Sequence, residues 1–418
     1  MNAHDVSRRD FLTAGGVAAG GVVVAGAAAA CAPQAAKEQV AAVAEDPNRF
    51  LESQTVEFDG PHQAGIATPA QANLILAGFR FTEGVDREGA RRLLRMWTQD
   101  ARALCRGEVP PSSLEPELTD KPANLTVTCG LGPRFFEVIG KPTLRPAGLA
   151  DVPAFSRDQL DPQWGQMDAV LQICSDNPMT AAYALRHLVR ISPTYVTVEY
   201  LQQGFLHAKG ASGESSTPRN FFGQLDGSKN PRTPEELAEQ VFIPEGDDWL
   251  RGSSVMVVRR IHMNVDTWEE LDRSSRENAM GRRLADGSPL TGGTEFDDVD
   301  LNARDGFGLP VIDRNSHVAR AMPVDGHPEQ RLLRRAYNYN LAPVASRPEE
   351  LSNTGLVFIC YQQDSAAQFS AIQARLDEAD LLNTWVTHIG SGVYWVPPGT
   401  GAGEDADEYW AQRLIEKA

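Results

Sequence analysis

The sequence predicts an α+β protein in which one βαββαβ pattern occurs twice in succession. Apolar stretches of strand length alternate with amphipathic stretches of helix length, and the same order recurs in the second half of the chain. In addition, 418 residues are enough for two domains with separate cores. We therefore expect two ferredoxin-like domains with antiparallel sheets, over residues 56–215 and 216–418.

The first half contains a complete unit. Strands are predicted at residues 73–81, 125–129, 169–174 and 195–201, and helices at residues 88–106 and 179–190. Helix 88–106 has the clearest pattern, because apolar side chains recur at helical spacing from Ala90 to Leu104 and Gly107 follows as a stop signal. The order of these elements is that of a split βαβ unit.

The second half repeats this order around a long insertion. Strands are predicted at residues 254–263, 355–361 and 385–395, and helices at residues 266–281 and 365–378. Asp266 and Glu269 have the spacing of a capping box at the start of helix 266–281. Residues 283–353 form the insertion, which is rich in His, Arg and Asp. Insertions of this length are usually functional or disordered, so we expect the chemistry there.

Composition excludes several functions. The chain has 39 basic and 56 acidic residues, for a net charge of −17. This balance argues against a nucleic-acid partner and against anionic membranes, because both need basic surface. The five cysteines form no CxxC or CxxCH motif, so a zinc ribbon, a redox dithiol and covalently attached haem are unsupported.

Residues 1–31 have the pattern of an export signal. Arg8 and Arg9 precede an uncharged run of Gly, Ala and Val, which is typical of the twin-arginine route. A transmembrane anchor is disfavoured, because the run is rich in Gly and Ala and barely long enough. Cleavage fits either an Ala-x-Ala site near residue 30 or the bond before Cys31, which would then carry a lipid anchor. Residues 32–55 form a linker, and we expect a periplasmic, extracellular or cell-envelope protein.

Three segments of the second half combine residues typical of reactive sites. Residues 223–227 read GxxDG, which by itself is more often a plain turn. His317 is flanked by small and apolar residues, as an iron ligand would be, although an isolated His is more often structural. Arg334 lies in a basic run, residues 331–339, that could equally be a solvated strand or helix face.

The three segments together resemble the dye-decolorizing peroxidase family of haem enzymes. The resemblance consists of GxxDG, then a His followed by a stretch ending in Pro323, then Leu-Arg-Arg-x-Tyr with Arg334 seventeen residues after His317. Similar blocks occur at residues 60–66, 257–261, 355–364 and 390–399. With its export signal, the chain resembles the secreted branch that includes the deferrochelatase/peroxidase proteins of iron uptake.

The resemblance implies one haem b per chain, bound without covalent attachment in the C-terminal domain. His317 is the implied iron ligand, whose basicity favours cleavage of the peroxide O–O bond. Asp226 matches the family's acid/base carboxylate, and Arg334 matches its arginine, which would stabilise charge on the departing oxygen. Because a carboxylate replaces an imidazole as acid/base, we expect activity to peak on the acidic side of neutrality.

Further haem contacts are implied by the same resemblance. They are Gly227, Ser228, Lys229, Met322, Pro323, Val324, Phe358 and Asp364. Val324 stands where the family usually has Arg, and Arg320 is a candidate to compensate. Asp364 is either a hydrogen-bond acceptor for His317 or the N-cap of the following helix. Phe358 either packs on the haem or belongs to the core of a buried strand.

The implied reaction is reduction of hydrogen peroxide with oxidation of a dye, a phenol or another small organic donor. Tyr337, Tyr339, Trp385 and Trp395 are candidates to pass electrons from donors too large for the pocket, although each side chain could simply pack in the core. A deferrochelatase that releases iron from haem, working with iron-uptake components, is one alternative, and a non-enzymatic haem-binding protein is another. The chain is also expected to form a homodimer or a higher oligomer.

Overall fold

Eight of the nine strands in the described residues form two antiparallel groups of four that pair with each other at their edges, and the two-residue strand Leu333–Arg334 pairs with the second group. The computed structural model describes residues 50–211, 217–344, 350–401 and 407–417. The strands in these ranges are β1 (Asn73–Phe81), β2 (Thr126–Leu131), β3 (Ala169–Ser175), β4 (Val196–Phe205), β5 (Ser254–Met263), β6 (Leu333–Arg334), β7 (Tyr337–Leu341), β8 (Asn353–Gln362) and β9 (Val386–Val396).

Helices connect the strands. The α-helices are α1 (Arg87–Cys105), α2 (Pro133–Val138), α3 (Pro178–Arg190), α4 (Pro234–Gln240), α5 (Val265–Glu269), α6 (Arg273–Met280), α7 (His317–Ala321), α8 (Ala371–Ala379) and α9 (Gln412–Glu416). A π-helical turn, Ser365–Ser370, leads into α8. Short 3₁₀ helices lie at Leu51–Ser53, Pro116–Leu118, Pro142–Leu144, Pro162–Trp164 and Leu381–Thr384.

Both groups of strands have the same order, which confirms the predicted repeat. The first group is ordered β4-β1-β3-β2 and the second β9-β5-β8-β7, with all neighbours antiparallel. The groups meet at both edges, through Leu131 paired with Trp395 and Phe205 paired with Asn338. The second strand of the second group, β7, comes from the insertion. Residues from Phe50 onward form one compact unit.

The apolar periodicity of the sequence matches the core. Along α1, the side chains of Ala90, Leu93, Leu94 and Trp97 are fully buried, and Asp86 caps the first turn by accepting a hydrogen bond from the Gly89 amide. A further buried cluster is shared by both groups of strands and contains Tyr200, Tyr337, Tyr339, Tyr361 and Tyr394. The two groups of strands are therefore held together by aromatic packing as well as by pairing at their edges.

The predicted helix over residues 266–281 is wrong in detail. Two short helices, α5 and α6, replace it, capped by Asn264 and Asp272. The Asp266 carboxylate instead accepts hydrogen bonds from the Leu351 amide and the Ser352 hydroxyl, at 2.8 and 3.1 Å. This long-range contact occupies the Asp266 carboxylate, which the capping box would have needed to accept a backbone hydrogen bond at the start of the helix.

Several predictions concern residues outside the described ranges. They are the export signal with Cys31, the linker as far as residue 49, and the boundary between residues 215 and 216. No helix in the part of the chain that the structure describes has the length and apolarity needed to cross a membrane. The remaining cysteines, Cys105, Cys129, Cys174 and Cys360, are buried thiols, as expected from spacings that suggest no disulfide.

Candidate active site

A deep pocket lies against strands β5 and β8 of the second group. Residues of the GxxDG loop and of helices α7 and α8 also line it. Much of its wall is apolar, with Phe222, Ile261, Leu356, Phe358 and Leu376 among the lining side chains. The pocket also contains His317, Asp226 and Arg334. The structure thus brings together the three residues that the sequence singled out, although they lie in three different elements.

His317 is the first residue of α7, and its ring is held from one side. Its Nδ1 lies 2.6 Å from Oδ2 of Asp380, whose side chain is 4% exposed. The other oxygen of Asp380 accepts a hydrogen bond from the Leu382 amide at 2.9 Å. Because Nδ1–H donates to this fixed carboxylate, Nε2 is the ring nitrogen left with a lone pair for the pocket.

The charge on Asp380 makes His317 more basic. Burial opposes protonation of the imidazole, but the Asp380 carboxylate and its hydrogen bond outweigh this effect and raise the pKa of His317. The nearby charges of Arg334 and Asp226 act in opposite directions on the same pKa. An imidazole with raised basicity is a stronger electron donor to a bound metal ion.

Asp226 and Arg334 form an ion pair inside the pocket. Nη1 of Arg334 lies 3.3 Å from Oδ1 of Asp226, and the side chains are 27% and 14% exposed. The second carboxylate oxygen, Oδ2, accepts a hydrogen bond from Nδ2 of Asn220 at 3.3 Å. A carboxylate and a guanidinium on the same side of the pocket are suited to moving a proton and stabilising negative charge.

Asn230 connects the two elements that carry this pair. Its Nδ2 donates to the carbonyl oxygen of Arg334 at 2.7 Å, and its Oδ1 accepts from the Arg334 amide at 3.1 Å. The side chain therefore pairs with strand β6 as a neighbouring strand would. Between Asp226 and Asn230, Gly227 has a backbone φ of +130°, which residues other than glycine rarely adopt.

Ser228 and Lys229 line the pocket, but both have protein partners. The Ser228 hydroxyl donates to Oε1 of Glu295 at 2.9 Å, and Nζ of Lys229 lies 2.8 Å from Oδ1 of Asp298. Gly227 is not part of the wall. Contacts from these residues to a haem carboxylate remain a prediction.

Of the second predicted haem-contacting stretch, Met322 and Pro323 line the pocket, whereas Val324 does not and is 43% exposed. The expectation that Arg320 compensates there is wrong. Its guanidinium hydrogen-bonds to the Glu378 carboxylate and to the carbonyl of Arg375, both in α8. An ion pair with a neighbouring helix takes this cation away from the pocket.

Asp364 is not the hydrogen-bond partner of His317, so that interpretation is wrong. Its Oδ1 accepts from the amides of Ala366 and Ala367, at 2.7 and 2.9 Å, and caps the π-helical turn. The capping alternative is therefore confirmed, and Asp380 makes the contact instead. Phe358, in contrast, faces the pocket while it also packs against the main core.

Besides Asp380, the polar residues of the wall that sequence reasoning missed include Arg259 and His388. Arg259, on β5, is fully buried and forms an ion pair with Asp158. His388, on β9, lies 3.4 Å from Nε of Arg259, and burial together with that charge lowers the pKa of His388 to about 3. Arg259 falls within residues 257–261, one of the blocks that carry the resemblance, but nothing in its local pattern distinguishes a pocket residue from a strand residue.

The aromatic relay candidates differ in exposure. Tyr337, Tyr339 and Trp395 are at most 1% exposed and pack in the core. Trp385 is partly exposed, and its ring lies 5.1 Å from that of Trp268. Trp268 stacks in turn on Phe222, with 4.4 Å between ring centroids, and Phe222 lines the pocket.

The residues present fit the iron porphyrin that the resemblance implies. His317 offers one nitrogen to the pocket, since the other is tied to Asp380. Apolar walls suit the faces of a porphyrin, and the ion pair of Asp226 and Arg334 gives the peroxide a polar site. The donor set is therefore that of a haem with one protein ligand.

Two family models match the chain. The model of the N-terminal part of Dyp-type peroxidases matches residues 63–206, and the model of the C-terminal part matches residues 217–401. Among curated proteins, a dye-decolorizing peroxidase of Thermobifida fusca is 34% identical over 381 residues, which are 88% of this chain and 86% of that protein. A deferrochelatase of Escherichia coli K12 is 32% identical over 400 residues, 91% and 92% of the two chains.

Solved structures agree with these matches. A DyP-type peroxidase from Cellulomonas bogoriensis superimposes with a TM-score of 0.83 at 42% identity, covering 88% of this chain and 99% of that one. Ferric DtpA from Streptomyces lividans gives a TM-score of 0.82 at 37% identity, covering 88% and 98%. The similarity therefore extends over both groups of strands and the pocket.

Proposed function

The chain belongs to the Dyp-type peroxidase family, and we propose that Asp226, Arg334 and His317 perform the chemistry of this haem peroxidase. Haem b, when bound, supplies the iron that accepts the oxidising equivalents of hydrogen peroxide and takes electrons from a donor. The observation that supports the assignment is the ion pair of Asp226 and Arg334, at 3.3 Å, in the pocket that also contains His317.

Each residue has a distinct role. Nε2 of His317 would hold the iron, and Asp380 holds the ring and increases its basicity. Asp226 accepts a proton from the inner oxygen of hydrogen peroxide and returns it to the outer oxygen, which leaves as water. The guanidinium of Arg334 stabilises negative charge on that outer oxygen as the O–O bond lengthens.

Replacement of Asp226 by Asn tests this assignment. The variant keeps the shape of the side chain but cannot accept the proton, so the rate of peroxide cleavage should fall by about 10²–10⁴-fold while haem remains bound. Stopped-flow absorption measures this rate, and the Soret band measures the haem. The wild-type steady-state rate should peak below pH 7. An undiminished cleavage rate in Asp226→Asn, or a profile that peaks above neutrality, contradicts the proposal.

Large donors are proposed to deliver electrons at Trp385. The partly exposed indole of Trp385 contacts Trp268, and Trp268 stacks on Phe222 at the pocket wall. Consecutive ring contacts of this kind give electrons a short path between surface and pocket. By this path we expect dyes that are too large to enter the pocket to be oxidised at its surface.

Release of iron from haem is the second candidate function. It is supported by the 32% identity to a protein named deferrochelatase over nearly the whole chain. Incubation of the haem-loaded protein with a reductant and an iron chelator distinguishes the two functions. Metal-free porphyrin, detected by its fluorescence, supports iron release and with it a role beside iron-uptake components. If no metal-free porphyrin forms, peroxidase activity is the one function of the two that is supported.

Export by the twin-arginine route, to the periplasm or the outer envelope, is proposed on the pattern of residues 1–31. Replacement of Arg8 and Arg9 by Lys should retain the protein in the cytoplasm. Metabolic labelling with palmitate tests lipid attachment at Cys31, with Cys31→Ser as control. Light scattering of the purified protein tests the proposed homodimer or higher oligomer.

A further inference from the structure

Five Lys and Arg side chains of the described residues line the pocket, and four of them already have partners. Lys229 pairs with Asp298, Arg259 with Asp158, and Arg334 with Asp226. Arg282 donates to the carbonyl oxygens of Gly287, Glu295 and Asp297, at 2.8, 2.7 and 3.0 Å. These four cations are occupied by groups of the protein itself.

Arg331 is the fifth. Its guanidinium makes no hydrogen bond or ion pair with any residue in the described ranges, and the residue is exposed at the pocket wall. Asp298 and Glu236 interact with it only through space, since its charge contributes to the lowered pKa of each carboxyl group. The free cation therefore lies at the mouth of the pocket, where solvent and an incoming ligand can both reach it.

The backbone of Arg331 is fixed, although its side chain is free. Nε2 of Gln368 donates to the carbonyl oxygen of Arg331 at 2.9 Å, and Gln368 is only 3% exposed. From this anchor, the chain continues directly to Arg334 in β6. Arg331 thus has a defined position relative to the ion pair of Arg334 and Asp226.

We propose that Arg331 binds a carboxylate of the cofactor, one of the two propionates of haem b, at the mouth of the pocket. This inference rests on the proposed function, because it needs haem in this pocket. An apolar pocket that buries the porphyrin faces leaves the propionates at its mouth, where each is stabilised by a cation. A guanidinium pairs with a carboxylate through two parallel hydrogen bonds, and Arg331 has both donors available.

Arg331 also fills a gap in the wall. Val324 provides no cation to the pocket, and Arg320 is paired with Glu378. Arg282 is buried, and its guanidinium donates to the loop carbonyls of Gly287, Glu295 and Asp297. Among the described residues of the wall, the uncommitted charge that remains for an anionic ligand is that of Arg331.

The rate of haem release tests this inference. Haem-loaded protein is mixed with excess apomyoglobin, which captures released haem and gives an absorption change. The variant Arg331→Ala should release haem about tenfold faster than the wild type, because a charge-assisted hydrogen bond is lost. Arg331→Lys should lie between them, since it keeps the charge without the fork. Arg186→Ala, an exposed residue of α3 outside the pocket, removes the same charge and should leave the rate unchanged.

Iron protoporphyrin dimethyl ester distinguishes a propionate contact from a structural effect. Both of its propionates are esterified, so wild type and Arg331→Ala should release it at equal rates. Equal release of haem b by the two proteins, or faster release of the ester by the variant as well, overturns the inference. If the wild type takes up no haem at all, both the proposed function and this inference fail. If the wild type and the variant hold haem equally well, only the inference about Arg331 fails.

Discussion

The imidazole of His317 and the carboxylate of Asp380 lie 2.6 Å apart, across 63 residues of sequence. His317 is the first residue of helix α7, and Asp380 is the N-cap of the 3₁₀ turn Leu381–Thr384. A backbone hydrogen bond from the Leu381 amide to the carbonyl of Asn315, at 2.9 Å, joins the two segments. The basicity of His317, the proposed iron ligand, is therefore raised by a turn that is remote in sequence.

Replacement of Asp380 by Asn should weaken the ligand without removing it. The amide oxygen can still accept a hydrogen bond from Nδ1, although no second oxygen is then left for the Leu382 amide, and the side chain lacks the charge that raises the pKa of His317. We expect a higher reduction potential of the iron and peroxide cleavage slower by about tenfold or more. Spectroelectrochemistry and stopped-flow absorption measure the two quantities.

Asp272→Asn is the matched control for this variant. Asp272 also caps a helix with its carboxylate, at the start of α6, but it makes no contact with His317. The control should keep the wild-type potential. If Asp380→Asn keeps it too, the charge of Asp380 does not act on the iron ligand.

Replacement of Asn230 by Ala should disturb the pair of Asp226 and Arg334. Both hydrogen bonds between the Asn230 side chain and the Arg334 backbone are lost, so β6 can move relative to the GxxDG loop. We expect kcat/KM for hydrogen peroxide to fall by about tenfold or more, because small displacements of catalytic groups are costly. Steady-state kinetics on protein with a full Soret band measures this effect.

Asn230→Asp gives an intermediate test, since it keeps the acceptor for the Arg334 amide and loses the donor to its carbonyl. Its kcat/KM should lie between that of the wild type and that of Asn230→Ala. A wild-type kcat/KM in both variants shows that the loop and the strand hold their positions without Asn230.

Replacement of Trp385 by Phe should separate large donors from small ones. The phenyl ring keeps the packing against Trp268 but is much harder to oxidise than an indole. Turnover of a bulky anthraquinone dye should fall several-fold, while turnover of a small phenol that enters the pocket stays unchanged. Trp395→Phe, a fully buried position in contact with Phe136 and Trp249, is the control. Equal loss with both donors contradicts the relay.

His388 should make the folded state less stable in acid. Its pKa is about 3 in the folded protein and near 6.5 in the unfolded chain, so the unfolded chain binds the proton first as the pH falls below 6.5. Between pH 7 and pH 5 this group should lower the free energy of unfolding by about 2 kcal/mol. Urea unfolding of wild type and His388→Gln measures the effect, and the wild type should lose more stability. Parallel pH curves contradict it.

The repeat of the fold could be predicted because it depends on local patterns. The apolar spacing of α1 and the alternating order of strands and helices are properties of neighbouring residues. Strand β7 could not be predicted, since it overlaps the basic run of residues 331–339, whose pattern fits a solvated strand and a helix face equally well. Only pairing with β4 and β8, which are distant in sequence, makes this segment a strand.

The site divides in the same way. His317, Asp226 and Arg334 are identified from a resemblance of motifs, and the structure brings all three into one pocket. Asp364 is a candidate partner of His317 on the sequence alone, but its local role as an N-cap is the one that the structure contains. Asp380 gives no signal in the sequence, because a contact over 63 residues has no local pattern.

The most direct test of the central claim is the absorption spectrum of purified protein with one equivalent of haem, recorded before and after one equivalent of hydrogen peroxide. The wild type should show a Soret band typical of histidine-ligated ferric haem, and the band should change within the mixing time of a stopped-flow instrument. His317→Ala should lose the ligand signature, and Asp226→Asn should keep it but react slowly. A wild-type spectrum that His317→Ala reproduces, or that peroxide leaves unchanged, contradicts the account.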